Sequence, residues 1–331
     1  MVVRMADGPR RGAPVTGPEP VPAGPSLAPD QFAAPWGARG YLTPLDGPVH
    51  WIEFGPGGPE APGAPPVVFV HGLGGSHLNW CQIGPRLAAG RRAVALDLHG
   101  FGLTPGSRRQ ATVQANTRLV DRFSREVTGT PVILVGNSMG GLISVLQTAA
   151  APAAVAGLVL IDPALPVPMQ KPDWSVTGQF LLFALPGLGE LVARTLSHRA
   201  PEVAVRQQIE LCFADPSRAD PAVVAAAIAL ARRRQDTPSR DQSLLAAARS
   251  LLRVIGRSRR YWAMMAGIGV PVLLIGGDAD RLVPVASMRR AAARNPRFQT
   301  TILAGVGHTP QLEVPEAVAD AIQDWLGRHF G

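Results

Sequence analysis

Short segments made up almost entirely of apolar residues recur along the chain. They occupy residues 67–70, 93–98, 132–135, 158–161, 272–275 and 298–303. Strands that are apolar on both faces are typical of a parallel sheet buried between two layers of helices. Helical stretches, such as 112–128 and 140–150, lie between most of these strands. The alternation predicts an α/β fold with a doubly wound, mostly parallel sheet, with its chemistry at the carboxyl ends of the strands.

Two parts of the chain depart from this alternation. Residues 1–40 hold 8 prolines and 6 glycines, so residues 1–38 are expected to form a flexible leader without a core of its own. Residues 165–266 show helical patterning only, which predicts a helical lid inserted over the strand ends. The predicted lid helices are 174–185, 188–196, 202–213, 221–234 and 241–255. The core is assigned to residues 39–164 and 267–331, beginning with a strand–turn–strand unit.

The charge of the chain changes this picture little. There are 32 basic and 24 acidic residues, which gives a net charge of +8. Only one basic residue is a lysine, Lys171, and the chain is rich in Ala, Gly, Pro and Arg, as a GC-rich genome would produce. The arginine clusters at 232–234 and 257–260 lack interleaved aromatic residues and are interpreted as solvated helix faces. Nucleic acid is therefore not expected as a partner.

Cysteine content and hydropathy bear on the compartment. The two cysteines, Cys81 and Cys212, exclude a disulfide scaffold and a multi-cysteine zinc site. The N-terminus lacks the basic-then-apolar pattern of a signal peptide. The longest apolar stretch in mid-chain, 180–188, is interrupted by proline and glycine and falls short of the roughly 20 residues that a membrane span requires. The default expectation is a cytoplasmic protein, with its oligomeric state left open.

The most informative motif is Gly136-Asn137-Ser138-Met139-Gly140. It follows an apolar strand and opens a helical stretch. A tight strand-to-helix turn forces its central residue into a strained backbone conformation and requires small residues two positions to either side. Such a turn exposes the serine hydroxyl and directs a helix N-terminus towards it. Ser138 is therefore the candidate nucleophile, the alternative being a purely structural turn.

A serine nucleophile needs a base, and the base needs a carboxylate to orient it. His308 is the candidate base, because the glycine-rich loop that carries it directly follows the strand at 298–303. Asp280, in the loop after the strand at 272–275, is the preferred carboxylate. Asp162 and Asp278 remain alternatives, although Asp278 lies closer to its strand and is better placed to cap the turn.

The tetrahedral intermediate of acyl transfer needs two backbone N–H donors. The residue after the nucleophile, Met139, would supply one. The loop His71-Gly72-Leu73-Gly74-Gly75, after the first buried strand, would supply the other through Leu73. This loop has neither of the glycine spacings found in nucleotide-binding loops.

These motifs resemble those of the α/β-hydrolase fold family, in a form with a helical lid. The matching segments, which lie between about residue 49 and the end, are His71-Gly72, residues 97–102 (Asp-Leu-His-Gly-Phe-Gly), 136–140, 280–284 and Gly307-His308. The resemblance implies a serine–histidine–aspartate hydrolase that needs no cofactor and no metal, with Leu73 and Met139 as oxyanion donors. Family members that open epoxides or remove halides have an aspartate in place of Ser138, so neither chemistry is expected.

Ester hydrolysis of the carboxylesterase or lipase type, through an acyl-enzyme, is the favoured function. One alternative is hydrolysis of a carbon–carbon bond in a diketone-like substrate. Relatives with that activity usually carry Gly-Pro-Gly after the His-Gly pair, whereas residues 73–76 are Leu-Gly-Gly-Ser. The other alternative is binding of a small molecule without turnover, which the complete set of Ser138, Asp280 and His308 argues against.

The lid supplies a set of apolar side chains. They are Trp174, Phe180, Leu181, Leu182, Phe183, Leu185, Leu188 and Leu191. If they face the site, the acyl group is apolar; otherwise they form the lid's own core. Trp174, Phe180 and Phe183 are candidate substrate-binding residues, as are His77 and Trp80, which could equally pack against the next helix. Peripheral contact with a membrane surface would require some of the lid residues to be exposed.

Overall fold

The computed structural model describes residues 31–55, 61–129, 131–166, 182–237 and 239–331. These residues include an eight-stranded sheet with the strand order β1-β2-β4-β3-β5-β6-β7-β8. The strands are β1 (Ala38–Pro44), β2 (Pro48–Phe54), β3 (Val67–Val70), β4 (Ala93–Leu96), β5 (Val132–Asn137), β6 (Val155–Ile161), β7 (Val272–Gly277) and β8 (Phe298–Leu303). β2 pairs antiparallel with both β1 and β4, and the remaining pairs are parallel. The predicted doubly wound, mostly parallel sheet is confirmed.

Strand β3 shows why the sheet is buried on both faces. Val68 and Val70 belong to one apolar cluster and Val67 and Phe69 to another, because successive side chains of a strand point to opposite faces. All four side chains are fully buried. The continuously apolar sequence of this strand is thus explained by a core on each side of the sheet.

Helices flank the sheet and fill the long segment between β6 and β7. They are α1 (Gly84–Leu87), α2 (Val113–Phe123), α3 (Met139–Ala150), α4 (Leu188–Ser197), α5 (Pro201–Cys212), α6 (Pro221–Arg233), α7 (Arg240–Gly256), α8 (Ser258–Ala266), α9 (Val285–Arg294), α10 (Pro310–Glu313) and α11 (Pro315–Phe330). Local capping fixes several starts. Thr112 accepts a hydrogen bond from the N–H of Ala115 ahead of α2, and Asp220 caps α6.

The segment between β6 and β7 agrees with the predicted helices at α4 to α7, each within a residue or two. The predicted helix 174–185 lies largely outside the described residues. The helix α8 was not predicted, although it buries Tyr261 and Trp262. Among the described residues, no helix combines the length and apolar character needed to cross a membrane.

The start of the chain differs from the prediction at its boundary. Phe32 and Ala33 are buried in the core cluster that contains Phe69, so packing begins before residue 39. The remainder of the predicted leader, residues 1–30, lies outside the described residues.

The strand order creates a switch point beside β3. The chain runs from β3 to β4 on one side and then returns to β5 on the other side. The loops that leave the carboxyl ends of β3 and β5 therefore diverge and open a crevice, which is where open α/β sheets bind ligands. The His71–Gly75 loop and the Ser138 turn are these two loops.

Candidate active site

Ser138 is the single residue between strand β5 and helix α3. Its backbone has φ 53° and ψ −119°, and such strain costs on the order of 1–3 kcal/mol. A Cβ at Gly136 would lie 2.6 Å from the carbonyl oxygen of Gly140, and a Cβ at Gly140 would lie 2.0 Å from that of Val70. Both obstacles are backbone atoms, which cannot rotate away. The turn therefore requires glycine at both positions.

Hydrogen bonds tie this turn to its neighbours. The N–H of Ser138 donates to the carbonyl of Ile161 at 3.1 Å. The buried Asn137 side chain donates from Nδ2 to the same carbonyl at 3.0 Å and to the carbonyl of His308 at 3.1 Å. Asn137 thus joins the serine turn directly to the histidine loop. Sequence reasoning missed this role, because the position is variable within the motif and nothing nearby indicates a distant acceptor.

His71 sets the orientation of the loop after β3. Its Nε2 accepts the N–H of Leu98 at 3.0 Å, so its Nδ1 carries the proton and donates to the carbonyl of Gly72 at 2.8 Å. Burial lowers the pKa of His71 to about 4, so the ring stays neutral. In a trans peptide the N–H points opposite to the C=O, so the N–H of Leu73 points away from His71.

The loop lies against the serine turn. A Cβ at Gly72 would lie 3.1 Å from the Cβ of Ser138, so the loop backbone passes directly beside it. On the other side, Met139 is the first residue of α3, and a first-turn N–H has no acceptor within its own helix. The His71–Gly75 loop, through Gly72, and the first residue of α3 therefore both adjoin Ser138.

His308 contacts the carboxylate that the sequence favoured. Its Nδ1 lies 2.7 Å from Oδ2 of Asp280, and both residues are buried. The other carboxylate oxygen accepts the N–H groups of Leu282 and Val283 at 2.7 and 3.0 Å. These bonds leave Asp280 one fixed orientation, with Oδ2 directed at the imidazole.

The two alternative carboxylates are placed differently. Asp278 accepts the N–H of Gly305 at 2.7 Å and holds the turn after β8. Asp162 is fully buried with φ 37°, and its Oδ2 accepts the N–H of Gly277 at 3.1 Å. Burial, and then the charge of Asp280, raise the pKa of Asp162 well above its ordinary value, which favours the neutral acid. Of the three, Asp280 is the one that contacts His308.

Comparison with known proteins decides the family. The model of the "Alpha/beta hydrolase family" matches residues 67–321. The chain belongs to the alpha/beta hydrolase family. It is 27% identical over 311 residues to a dihydrolipoyllysine-residue acetyltransferase component of the acetoin cleaving system of Pseudomonas putida, covering 90% of this chain and 75% of that protein.

Other relatives of this alpha/beta hydrolase include hydrolases of two kinds. A 2-hydroxy-6-oxononadienedioate/2-hydroxy-6-oxononatrienedioate hydrolase of Cupriavidus pinatubonensis is 27% identical, over 88% of this chain and 96% of that protein. A pimeloyl-[acyl-carrier protein] methyl ester esterase of Xanthomonas oryzae pv. oryzae is 28% identical, over 79% and 95%. The solved structure of a lipase from Acinetobacter baumannii shares the fold, with a TM-score of 0.70 at 20% identity over 90% of this chain and 94% of that one.

A pocket adjoins the site of this alpha/beta hydrolase. It has a volume of about 160 Å³ and lies between helices α5 and α6 and residues 74–82. Gly74, Gly75 and Thr309 line one part of it, next in sequence to Leu73 and His308. Its walls are mostly apolar, and Arg234 and Arg240 also line it.

None of the three candidate substrate-binding residues that the structure describes lines this pocket. Trp80 is fully buried in the core and stacks on Phe69, with ring centroids 4.9 Å apart. His77 is buried as well and does not line the pocket. Phe183 packs with Ala193, Leu245 and Ala248 in a small cluster, as a residue of the lid's own core would. Trp174 and Phe180 lie outside the described residues.

Three leucines of the predicted lid are partly on the surface. Leu185, Leu188 and Leu191 are 50%, 41% and 61% exposed. None of the three is among the residues that line this pocket.

A buried cluster under the loop was not foreseen. Asp97 Oδ2 lies 2.8 Å from Nδ1 of His50 and 2.9 Å from Nδ1 of His77. The N–H groups of His77 and Leu103 also donate to Asp97, at 2.7 and 2.8 Å. His50 and His77 are both buried. The histidines lower the pKa of Asp97 well below its ordinary value, against the effect of burial.

The same cluster is the one group in the described part of the chain whose ligand atoms lie close enough to hold a metal ion. Its geometry is that of hydrogen bonds. Both oxygens of Asp97 already accept backbone N–H groups, and each histidine Nδ1 lies at hydrogen-bond distance from the carboxylate. The cluster fixes the chain just beyond the His71–Gly75 loop, since His77 lies two residues after Gly75.

Glu313 fixes the histidine loop in a similar way. This buried carboxylate accepts the N–H of Gly307 at 2.7 Å and those of Ala214 and Asp215 at 3.2 and 3.0 Å. The N–H of His308 donates to the carbonyl of Cys212 at 2.6 Å. The segment after α5 is thereby held against His308, a relation that no local sequence pattern indicates.

Proposed function

We propose that this alpha/beta hydrolase is a serine esterase that cleaves a carboxylic ester through an acyl-enzyme intermediate. The observation that carries the proposal is the 2.7 Å contact of His308 Nδ1 with Asp280 Oδ2, in a loop that Asn137 ties to the strained turn of Ser138. The esterase among the relatives supports the same reaction type.

In the proposed first step, Ser138 Oγ attacks the acyl carbon and His308 Nε2 takes the hydroxyl proton. Asp280 accepts the Nδ1–H and stabilises the imidazolium that forms. The N–H groups of Leu73 and Met139 bind the oxyanion, because His71 directs the first of them and the start of α3 supplies the second. His308 then passes its proton to the leaving alcohol as the carbon–oxygen bond breaks.

The second step repeats this chemistry with water. His308 takes a proton from a water molecule, which attacks the acyl-enzyme. Collapse of the second tetrahedral intermediate releases the carboxylic acid and returns the proton to Ser138. Apart from the substrate and this water molecule, both steps use only the chain's own residues.

Turnover of p-nitrophenyl esters, from acetate to long acyl chains, tests the proposal. The wild-type protein is expected to hydrolyse them, and Ser138→Ala to lose on the order of 10⁶ in kcat. A fluorophosphonate should label the wild-type protein at Ser138 only. The absence of both turnover and labelling would refute the esterase proposal.

A second candidate is hydrolysis of a carbon–carbon bond, favoured by the similarity to a 2-hydroxy-6-oxononadienedioate hydrolase over 96% of that protein. It uses the same residues but a ketone in place of the ester. Product analysis with a vinylogous diketone separates the two. Cleavage of the diketone much faster than of any ester would favour this candidate.

A further inference from the structure

One face of helix α6 lines the pocket, and it leads to the positively charged side chain of Arg234, the residue directly after the helix. Val223, Ala227, Leu230 and Arg234 all line the pocket, at spacings of four, three and four residues. These spacings place side chains on one face of a helix. The apolar stripe thus leads to Arg234, and Arg240 of α7 lines the pocket beside it.

Arg234 is not the solvated residue that its arginine cluster suggested. Its neighbours Arg232 and Arg233 are exposed, whereas Arg234 is half-buried and donates from Nη2 to the carbonyl of Gly100 at 2.6 Å. Its buried Nε has no acceptor among the described residues. Burial, and then the charge of Arg240, lower the pKa of Arg234 to about 10, so it remains a cation at neutral pH.

Neither guanidinium has a carboxylate partner in the described part of the chain. None of the ion pairs found there includes Arg234 or Arg240. Arg240 makes a single long contact, from Nη1 to the carbonyl of Ser197 at 3.4 Å. Asp220, which also lines the pocket, sits at the opposite end of α6, about 20 Å away at 1.5 Å per residue.

Two adjacent, partly buried cations are unfavourable unless an anion joins them. The guanidinium group is suited to this task, because its N–H groups form a fork that matches a carboxylate. The other part of the pocket adjoins the reaction site through Gly74, Gly75 and Thr309. A chain that starts at Ser138 and follows the apolar walls would bring its far end to the two arginines.

We propose that Arg234 and Arg240 bind a carboxylate at the remote end of the acyl group. The substrate is then a monoester of a dicarboxylic acid rather than of a simple fatty acid. This inference rests on the proposed esterase function, and it adds the substrate class.

Two matched esters test it: the mono-p-nitrophenyl ester of suberic acid and p-nitrophenyl octanoate. They share chain length and leaving group and differ only in the terminal carboxylate. The wild-type protein should show a higher kcat/KM for the charged ester. Arg234→Gln and Arg240→Gln should each lower the ratio of charged to neutral kcat/KM about tenfold or more, the value of one or two charge-assisted hydrogen bonds.

Arg233→Gln is the control, because this neighbour is exposed and does not line the pocket. It should keep the wild-type ratio. Thermal unfolding of each variant shows whether it is folded. If Arg234→Gln does not fold, because the hydrogen bond to Gly100 is lost, the comparison rests on Arg240→Gln. Equal ratios in the wild-type protein and both pocket variants would overturn the inference.

Calorimetric binding to Ser138→Ala separates this inference from the esterase proposal. The probes are monomethyl suberate and methyl octanoate. Tighter binding of the charged ester, lost when Arg234→Gln is added, supports the anion subsite even if no ester is turned over. Equal binding of the two probes overturns the subsite while leaving ester hydrolysis intact.

Discussion

Replacing Asp97 by asparagine should destabilise the protein far more than the loss of a single surface charge. The change keeps the shape of the side chain but turns one acceptor oxygen into an N–H₂ donor. Among the described residues, the hydrogen-bond partners of Asp97 are all donors: two histidine rings and the N–H groups of His77 and Leu103. Whichever way the amide turns, it places a donor against at least one donor.

The magnitude follows from these contacts. Bonds to a charged acceptor are worth about 1.5–3 kcal/mol each, and one or two of them are lost. The remaining bonds fall to the neutral value of about 0.5–1.5 kcal/mol. We therefore expect the free energy of unfolding to fall by about 2–5 kcal/mol, a large part of the total for a typical domain. Because His77 follows the His71–Gly75 loop, esterase activity should fall with it.

Urea unfolding at pH 7 measures the effect. Asp278→Asn is the matched control, since Asp278 is exposed and accepts only the N–H of Gly305 among the described residues, so its loss should cost about 1 kcal/mol or less. Equal urea unfolding midpoints for the two variants would refute the conclusion that a charged Asp97 carboxylate holds these hydrogen bonds.

The pH dependence gives a second test of the same reasoning. The folded-state pKa of Asp97 is lowered, so its stabilising effect is complete above its unfolded pKa, near 4, and is lost as the pH falls through the lower folded value. The wild-type protein should therefore lose stability more steeply than Asp97→Asn on acidification below about pH 4. Parallel acid-unfolding curves would contradict this.

Three further predictions address the site. Gly140→Ala should abolish folding or activity, because its Cβ would lie 2.0 Å from the carbonyl oxygen of Val70. The control is Gly256→Ala in α7, which has open space around the new Cβ and should be neutral. Expression and thermal unfolding compare the two variants, and a stable, active Gly140→Ala would contradict the geometry. Asp280→Asn should lower kcat on p-nitrophenyl esters by about 10³–10⁴, whereas Asp162→Asn, at a carboxyl whose raised pKa favours the neutral form and which does not contact His308, should cost less than about tenfold. The reverse order would assign the carboxylate to Asp162. Burial raises the pKa of the Cys212 thiol to about 12, so iodoacetamide at pH 8 should modify it far more slowly in the folded protein than in urea, as read by mass spectrometry. Equal rates of alkylation in the folded and unfolded protein would contradict the raised pKa.

The order of the elements and the choice of candidate site residues followed from the sequence. Strands buried on both faces need continuously apolar residues, and a turn as tight as that at Ser138 needs glycine at fixed spacings. Both features can therefore be identified from a short stretch of sequence. The same holds for helix starts such as Asp220, whose side chain bonds within its own first turn. The boundary of the leader was placed too late, because the burial of Phe32 depends on a core formed by distant strands.

Tertiary structure alone decided which groups meet. The sequence favoured Asp280 over Asp162 and Asp278, but only the folded loops show that Asp280 contacts His308 and that Asp162 is buried with a raised pKa. His50 and Asp97 are hydrogen-bonded although they lie 47 residues apart in the sequence. Arg234, unlike its exposed neighbours Arg232 and Arg233, donates a hydrogen bond to Gly100, 134 residues away. Hydrogen bonds and charge interactions at such separations depend on positions set by the whole fold, so no periodicity or short motif encodes them.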